Sequence, residues 1–479
     1  MAPRILFKGA TLVTFAPPTV EHADVLVADG RIVRKGWRLP PTPDTEIIDV
    51  RGRVIIPGLV DAHVRPAESF GATIPARPAD HLGSAPDIDH AHSDETLLCA
   101  LFAHCVDSLR CGVTTSAAWH HTPSCVTGSL ARHRDVFLSV GLRGTAAYGT
   151  NDLGGPTGVA TALAETRDGA AWGGGFRFRY FAGAGPVDTA TDATLAAIAE
   201  IGSRYDTPVH VRVRDGAGIT RLLGAGLLKS GSLVACDGPV PTDLAAALTA
   251  VGAHLVALPG ASGAGAFEHS LIGTGAGRPD VLEAVRTALV HGHGGTQEQA
   301  IEALGRAQSW ASSVFGVELG SFTPGAAADL VVLDYRPSTP FNEKTLAGHI
   351  IHGVGSQHVQ HVMVDGKLLV RDRQLTRLDT RNLMRQVQRA ALDIWAKLTT
   401  APYPGLDHQF RDENAPAQEF AEAFAGVSWR DEDSLPMERL APNEPLRVPA
   451  TIRGGDHGDV EHAPEMPVVR RLLPIPPAP

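Results

Sequence analysis

The stretch from Val54 to Arg65 constrains the fold of this chain more than any other part of its sequence. An apolar run, Val54–Ile56, ends at a Pro-Gly pair, and a second apolar run follows and ends on His63. Short apolar runs bounded by Pro and Gly are typical of buried β-strands. The stretch therefore predicts two consecutive strands, the second of which ends on a histidine.

The same stretch resembles the first barrel strand of the amidohydrolase superfamily, where a second histidine follows two positions after the first. In that family both histidines bind the catalytic metal. Here Arg65 stands at the second position. A guanidinium stays protonated at any working pH and has no lone pair to give a cation. The resemblance thus implies an amidohydrolase fold in which metal binding is impaired.

Other segments extend the resemblance over most of the chain, from Arg4 to about Leu398. Leu319–Tyr335 is similar to the family's segment that leads into its final β part, and Val362–Val370 is similar to its last hairpin. A finer resemblance, to SsnA-type aminohydrolases related to guanine deaminase and the chlorohydrolases, rests on two further segments, Thr114–Pro123 and Asp334–Pro340.

The composition is that of an ordinary globular protein. The chain has 479 residues, of which 43% are apolar and 20% charged, and its net charge is −10. This charge gives no electrostatic argument for binding nucleic acid or an anionic membrane. The sequence contains no apolar run long enough to span a bilayer and no signal-peptide pattern, so we expect a cytoplasmic protein. Its five cysteines lack CxxC spacing and are expected to be buried free thiols.

Strand-like and helix-like segments alternate through the middle of the chain, which predicts an α/β protein with parallel strands and crossover helices. We expect a (β/α)8 TIM-type barrel, with one βα unit shortened, and a small β-sandwich built from both chain ends. The expected boundaries are 1–57 for the first part of the sandwich, 58–319 for the barrel, 320–375 for the second part of the sandwich, 376–399 for a C-terminal helix and 400–479 for a Pro-rich extended tail.

The resemblance implies four places where metal ligands and the catalytic carboxylate should stand, and most of them are changed. On the second of these strands, His210 is followed by Arg212 at a ligand position and by Asp215 at the glutamate position. On the third, the ligand histidine falls on Cys236, or on Asp237 after a shift of one residue. On the fourth, Gly275 replaces the metal-binding aspartate. His63 is the remaining ligand of the usual set, and one imidazole does not hold zinc.

The main expectation from these losses is a protein without metal-dependent hydrolysis, acting as a non-catalytic structural or regulatory subunit. It would bind no cofactor, although the family ancestor would bind zinc or iron. It would form a homo- or hetero-oligomer, in one version with an active enzyme subunit, and its tail would serve as a docking arm. The candidate ligand-binding residues are His63, Arg65, His120, His121, His210, Arg212, Asp215 and Asp237.

Two alternatives remain open from the sequence. The first is an active deaminase-like hydrolase of C–N bonds with a remodelled site that uses His63, Cys236, Asp215 or Asp237. The second is a small-molecule binding protein that kept the pocket and lost turnover.

The two arginines at former ligand positions suggest a further hypothesis. A lost divalent cation would leave buried carboxylates unpaired, at a cost of several kcal/mol each. Arg212 would then pair with an acidic neighbour, and Arg65 would do the same or face an anionic ligand. The competing explanation is sequence drift in an arginine-rich chain. On the first hypothesis, Arg212→Ala should destabilise the fold by about 3 kcal/mol or more.

Overall fold

The computed structural model describes residues 4–71, 73, 86–259, 266–290, 295–378 and 380–400. The predicted Pro-rich tail, apart from its first residue, lies outside the described residues, and so does the docking role expected of it.

One nine-stranded sheet takes strands from both ends of the chain, in the order β18-β17-β16-β15-β5-β1-β2-β3, with β4 also paired to β1. The two ends meet where Val332 of β15 lies antiparallel to Ile55 of β5. Asp29 and Gly30, both with positive φ, form the hairpin turn between β2 and β3, which an Asp-Gly pair between two apolar runs predicts. The strands are β1 Arg4–Phe15, β2 Pro18–Ala28, β3 Arg31–Gly36, β4 Thr45–Asp49, β5 Val54–Pro57, β15 Leu330–Leu333, β16 Val359–Val364, β17 Lys367–Arg371 and β18 Gln374–Leu375.

The middle of the chain forms two parallel sheets, β6-β7-β8-β9 and β10-β11-β12-β13-β14. The two sheets meet through isolated parallel bridges, one between Thr150 and Ala184 and one between Val64 and Gly275. The strands are β6 Leu59–Val64, β7 Val113–His120, β8 Arg143–Tyr148, β9 Phe178–Tyr180, β10 Ala182–Ala184, β11 Val209–Val213, β12 Leu233–Cys236, β13 His254–Ala257 and β14 Ser270–Ile272.

Helices follow the parallel strands, as the alternating pattern predicts, and the fold is α/β. Ser93 caps the second helix, with its hydroxyl accepting from the amide of Thr96. The helices are α1 Pro86–Ala91, α2 Asp94–Arg110, α3 Ser129–Val140, α4 Gly155–Trp172, α5 Asp192–Arg204, α6 Gly216–Gly224, α7 Thr242–Ala250, α8 Ala266–His269, α9 Val281–Val290, α10 Gln297–Phe315, α11 Leu346–Gly348 and α12 Thr380–Thr400.

The prediction of one shortened βα unit concerns the segment between β13 and β14, of which the structure describes residues 266–269. The helix between β13 and β14, α8, has four residues, whereas α5 in an earlier unit has 13. Across the described residues, no helix is both long and apolar enough to cross a membrane.

The alternation of side chains along β11 and β12 separates two packing layers and positions the site. Val209, Val211, Val213 and Cys236 pack in one cluster with the apolar faces of α5, α6 and α7. Ala235 belongs instead to a second cluster, which lies on the opposite face of the strands. Because neighbouring residues of a strand point to opposite faces, His210, Arg212 and Asp237 turn away from the helices. Their side chains therefore share the face that Ala235 occupies.

Candidate functional site

Two buried histidines contact each other at the base of the candidate site. Nδ1 of His63 and Nε2 of His210 lie 2.8 Å apart, so that one ring donates a hydrogen bond to the other. Burial, followed by the nearby His210, Arg65 and Arg212, holds the pKa of His63 well below its usual range. Burial also lowers the pKa of His210, to about 3. Both imidazoles are therefore neutral at physiological pH.

Arg65, at the former ligand position, pairs with Glu68 in the short turn that follows β6. Nη1 of Arg65 lies 2.7 Å from Oε1 of Glu68, and the two residues are 4% and 5% exposed. Burial raises the pKa of Glu68, while Arg65 and Arg212 act in the opposite direction. Both guanidiniums are thus close enough to act on the same carboxylate.

Arg212 makes the second ion pair, with Asp237 at the end of the neighbouring strand. Its Nη2 lies 2.9 Å from Oδ2, and its Nε donates to Oδ1 at 3.2 Å. The guanidinium carbon lies 5.9 Å from the ring centroid of Trp119, whose indole N–H donates to the carbonyl of Ala184. The Trp119 ring also lies 6.1 Å from the His63 ring. Trp119 therefore connects the histidine pair with the second ion pair.

Asp61 and Gly275 organise the end of β6. Thr274 donates to the Asp61 carboxylate from its backbone amide at 2.9 Å and from its hydroxyl at 2.6 Å. Gly275 has φ +66° and holds the strand through its backbone, donating to the carbonyl of His63 and accepting from the amide of Arg65. At the position where the family resemblance places an aspartate, Gly275 thus contributes two backbone hydrogen bonds and no side chain.

Two predicted site residues lie outside this cluster, and both expectations are corrected. Cys236 faces the helices, as described above, and burial raises the pKa of its thiol to about 11. Asp215 is exposed and caps α6, accepting from the amides of Ala217 and Gly218. The strand alternation therefore decides between the two sequence alignments: Asp237, and not Cys236, reaches the site.

The two histidines at the end of β7, His120 and His121, also lie apart from the His63 cluster. The His120 ring stacks on His133 of α3, with centroids 4.1 Å apart, so it packs against the helical layer. His121 is half-buried, and its Nδ1 lies 3.1 Å from the carbonyl oxygen of Gly149. Burial lowers its pKa to about 4. Neither residue contacts the ion pairs.

Sequence reasoning did not single out Glu68 or Trp119. Glu68 stands three residues after Arg65, a spacing at which an acidic residue readily pairs with an arginine in a turn, and this signal was available. Trp119 lies within the segment that carries the finer family resemblance. Its position beside Arg212 depends on how the sheet that contains β7 meets the sheet that contains β11, which the sequence does not specify.

The side chains present do not fit a divalent metal ion. A catalytic zinc site has three protein ligands. Within the described ranges, no three His, Cys, Asp or Glu side chains come together as a possible metal site. The two histidines of the cluster use one nitrogen each to contact the other, and guanidiniums stand at two positions where the family resemblance implies ligands.

Sequence relatives of this chain include two named deaminases. A 5'-deoxyadenosine deaminase of Methanosarcina mazei is 24% identical over 447 residues, which cover 83% of this chain and 99% of the relative. A 5-methylthioadenosine/S-adenosylhomocysteine deaminase of Pelotomaculum thermopropionicum is 25% identical over 461 residues, covering 81% and 98%. No protein-family model matches the chain.

Solved structures with the same fold include two zinc-bound hydrolases. An adenosine deaminase from Xanthomonas campestris with bound zinc has a TM-score of 0.69 and 18% identity, covering 82% of this chain and 98% of its own. The atrazine chlorohydrolase of Arthrobacter aurescens TC1, complexed with zinc, has a TM-score of 0.63 and 18% identity, covering 81% and 100%. This likeness indicates a TIM-barrel-like α/β fold.

The expectation of a non-catalytic structural or regulatory subunit is wrong in the light of these relatives. They are named as deaminases and match about four fifths of the chain from one end of the relative to the other. That expectation treated the loss of metal ligands as the loss of a site. The structure instead has a compact set of charged and imidazole side chains there, and the alternative of a remodelled, active hydrolase agrees better with the relatives.

Proposed function

Because this chain belongs to the amidohydrolase superfamily, we propose that it is a hydrolase of non-peptide C–N bonds with a remodelled site. The reaction is hydrolytic deamination, in which water replaces the amino group of a heteroaromatic ring and ammonia leaves. The observation that carries the proposal is the Arg212–Asp237 pair beside Trp119 and His63. It places a partly exposed proton acceptor and a hydrogen-bond donor side by side, with buried aromatic and imidazole rings packed behind the donor.

The position of this set within the fold supports the proposal. If the interrupted pair β9 and β10 is taken as a single strand, the parallel strands β6 to β14 number eight, and bridges join their two sheets. We propose that they close a (β/α)8 barrel and that the nine-stranded sheet folds as the β-sandwich. His63, Arg212 and Asp237 then stand at the carboxyl ends of their strands, where barrel enzymes have their active sites.

Asp237 is the proton carrier in this proposal. Its side chain is 32% exposed, so water can reach it, and Arg212 fixes its orientation through two contacts. It accepts a proton from water as the water oxygen bonds to the ring carbon that carries the amino group. When the C–N bond breaks, the same proton leaves with ammonia. Of the four residues considered from the sequence, His63 and Asp237 are the two that the structure brings to the cluster.

Arg212 binds and polarises the ring in this proposal. Negative charge builds up on the ring nitrogen next to the attacked carbon, and a fixed guanidinium donor stabilises such charge more in the transition state than in the substrate. The indole of Trp119 is 1% exposed and lies 5.9 Å from the Arg212 guanidinium, so it supports the guanidinium from within the fold. His63 is also buried, and its place in this proposal is to pack beside Trp119 and His210 behind Arg212.

The test is ammonia release from a panel of amino-substituted substrates: 5'-deoxyadenosine, 5-methylthioadenosine, S-adenosylhomocysteine and adenosine. At least one should be deaminated, and Asp237→Asn should lower kcat by about 100-fold. The matched control is Glu46→Gln, which changes a carboxylate paired with Arg371 at 2.7 Å in the nine-stranded sheet. The proposal fails if no substrate releases ammonia above the protein-free rate, or if the two variants behave alike.

A further inference from the structure

Two permanently charged groups lie around the pair of histidines. Arg65 is 4% exposed and Arg212 has a side chain 13% exposed. Both stand within the range at which their charges act on His63 and on Glu68. A divalent cation at His63 would therefore be repelled by two guanidiniums in a poorly solvated environment, where such repulsion is weakly screened.

Each acidic side chain of this region already has partners that satisfy it. Glu68 pairs with Arg65 at 2.7 Å and Asp237 with Arg212 at 2.9 Å. Asp61 accepts two hydrogen bonds from Thr274. The two guanidiniums balance the charges of Glu68 and Asp237, so these two ion pairs need no further cation, and burial raises the pKa of Asp61 to about 7. Sequence drift, the competing explanation, would leave the guanidiniums without acidic partners, and the two ion pairs argue against it.

The histidine pair is also unsuited to bind one metal ion with both rings. The two nitrogens of an imidazole point away from each other across the ring. Since Nδ1 of His63 and Nε2 of His210 face each other at 2.8 Å, the remaining nitrogens lie at opposite ends of the pair. Those two nitrogens, Nε2 of His63 and Nδ1 of His210, have no hydrogen-bond partners among the residues that the structure describes. They cannot both approach the same cation without breaking the hydrogen bond between the rings.

We infer that this site works without a divalent cation and that Arg65 and Arg212 supply the positive charge that zinc supplies in the zinc-bound structures of the same fold. The inference rests on the proposed function, because it says how that reaction is supported here. Arg212 acts on the substrate directly. Arg65 is a positioning residue. Its guanidinium pairs with Glu68, and this ion pair holds the end of β6 beside Arg212.

The first test is metal binding by the full-length protein, which needs no activity. Element analysis after purification without chelators should find zinc, iron and manganese well below one ion per chain. Added zinc should give no binding heat in calorimetry and no rise in melting temperature, since a ligand that binds the native state raises it. Stoichiometric metal, or a zinc-dependent rise in melting temperature, would overturn the inference.

The second test uses the guanidinium itself. Arg212→Lys keeps the charge and loses the planar fork, and kcat should fall by about tenfold or more. Arg212→Gln loses both, and kcat should fall by about 100-fold with no recovery on adding zinc. Arg371→Lys, at a surface pair, is the control. Recovery of Arg212→Gln by zinc, or a wild-type rate abolished by 1,10-phenanthroline and restored by zinc, would contradict the inference.

The two proposals fail in distinguishable ways. Ammonia release together with stoichiometric zinc keeps the deaminase proposal and rejects the metal-free site. Absence of ammonia release together with absence of zinc binding rejects the deaminase proposal, and with it the role of Arg212 in that reaction, while the site still binds no divalent cation.

Discussion

Nη1 of Arg65 and Oε1 of Glu68 lie 2.7 Å apart, and neither residue is more than 5% exposed. Removing one partner of a buried ion pair leaves the other charge without compensation. The Arg212–Asp237 pair differs, because the Asp237 side chain is 32% exposed and water can solvate it. The two pairs should therefore contribute unequally to stability.

We expect Arg65→Ala to lower the free energy of unfolding by about 3–5 kcal/mol. Arg212→Ala should cost about 1–2 kcal/mol, less than the sequence suggested, because its partner is partly solvated. Lys35→Ala, which breaks a pair between exposed side chains, should cost less than about 1 kcal/mol. Urea denaturation of the three variants gives the comparison, and equal losses for Arg65→Ala and Lys35→Ala would contradict it.

Buried neutral histidines should make the fold sensitive to acid. Burial lowers the pKa of His104 to about 3 and that of His133 to about 4, both below the usual value of 6.5. The unfolded chain therefore binds a proton more readily than the folded chain. The free energy of unfolding should fall as pH drops from about 6.5 towards about 4, by about 2 kcal/mol for each such histidine at about pH 5.

Substitution of one buried histidine tests this dependence. His104→Leu should flatten the fall in melting temperature between about pH 7.5 and 5, because one titrating group is removed. His22→Gln, at an exposed histidine, is the control. A pH profile of His104→Leu that matches the wild type would show that this histidine is not responsible.

The close contact between Gly273 and His63 should make this glycine difficult to replace. A Cβ at Gly273 would lie 2.8 Å from the Cβ of His63 and 2.8–2.9 Å from its backbone oxygen and nitrogen. Gly273→Ala should therefore displace β6, lower kcat and reduce the melting temperature. Gly158→Ala, within α4 and with open space around it, should be neutral or stabilise by about 0.5–1 kcal/mol. If the two variants have the same melting temperature, β6 accommodates the extra methyl group and the prediction is wrong.

Cys236 should be dispensable for the reaction. Its thiol faces the helical layer, and burial raises its pKa to about 11, so the reactive thiolate is scarce at neutral pH. Cys236→Ala should keep kcat within about twofold and cost about 1 kcal/mol of stability through lost packing. A loss of activity comparable to that of Asp237→Asn would show that Cys236 takes part in the reaction.

Much of the fold followed from local sequence patterns. The Asp29-Gly30 turn specifies its hairpin because both residues adopt positive φ. Ser93 specifies the start of α2 because its hydroxyl satisfies a free amide of the first turn. The strand that carries His63, β6, was likewise visible as an apolar run after a Pro-Gly pair. These features depend on residues that are neighbours in the chain.

The sequence by itself determined the α/β class, the strand that carries His63 and the presence of arginines at two positions where the family resemblance implies metal ligands. Only the tertiary structure decided which side chains meet there. Pairing between β11 and β12 selects Asp237 over Cys236, because a shift of one residue turns a side chain to the opposite face of the sheet. The contact of His63 with His210 spans 147 positions of sequence, a distance over which no local pattern specifies a partner.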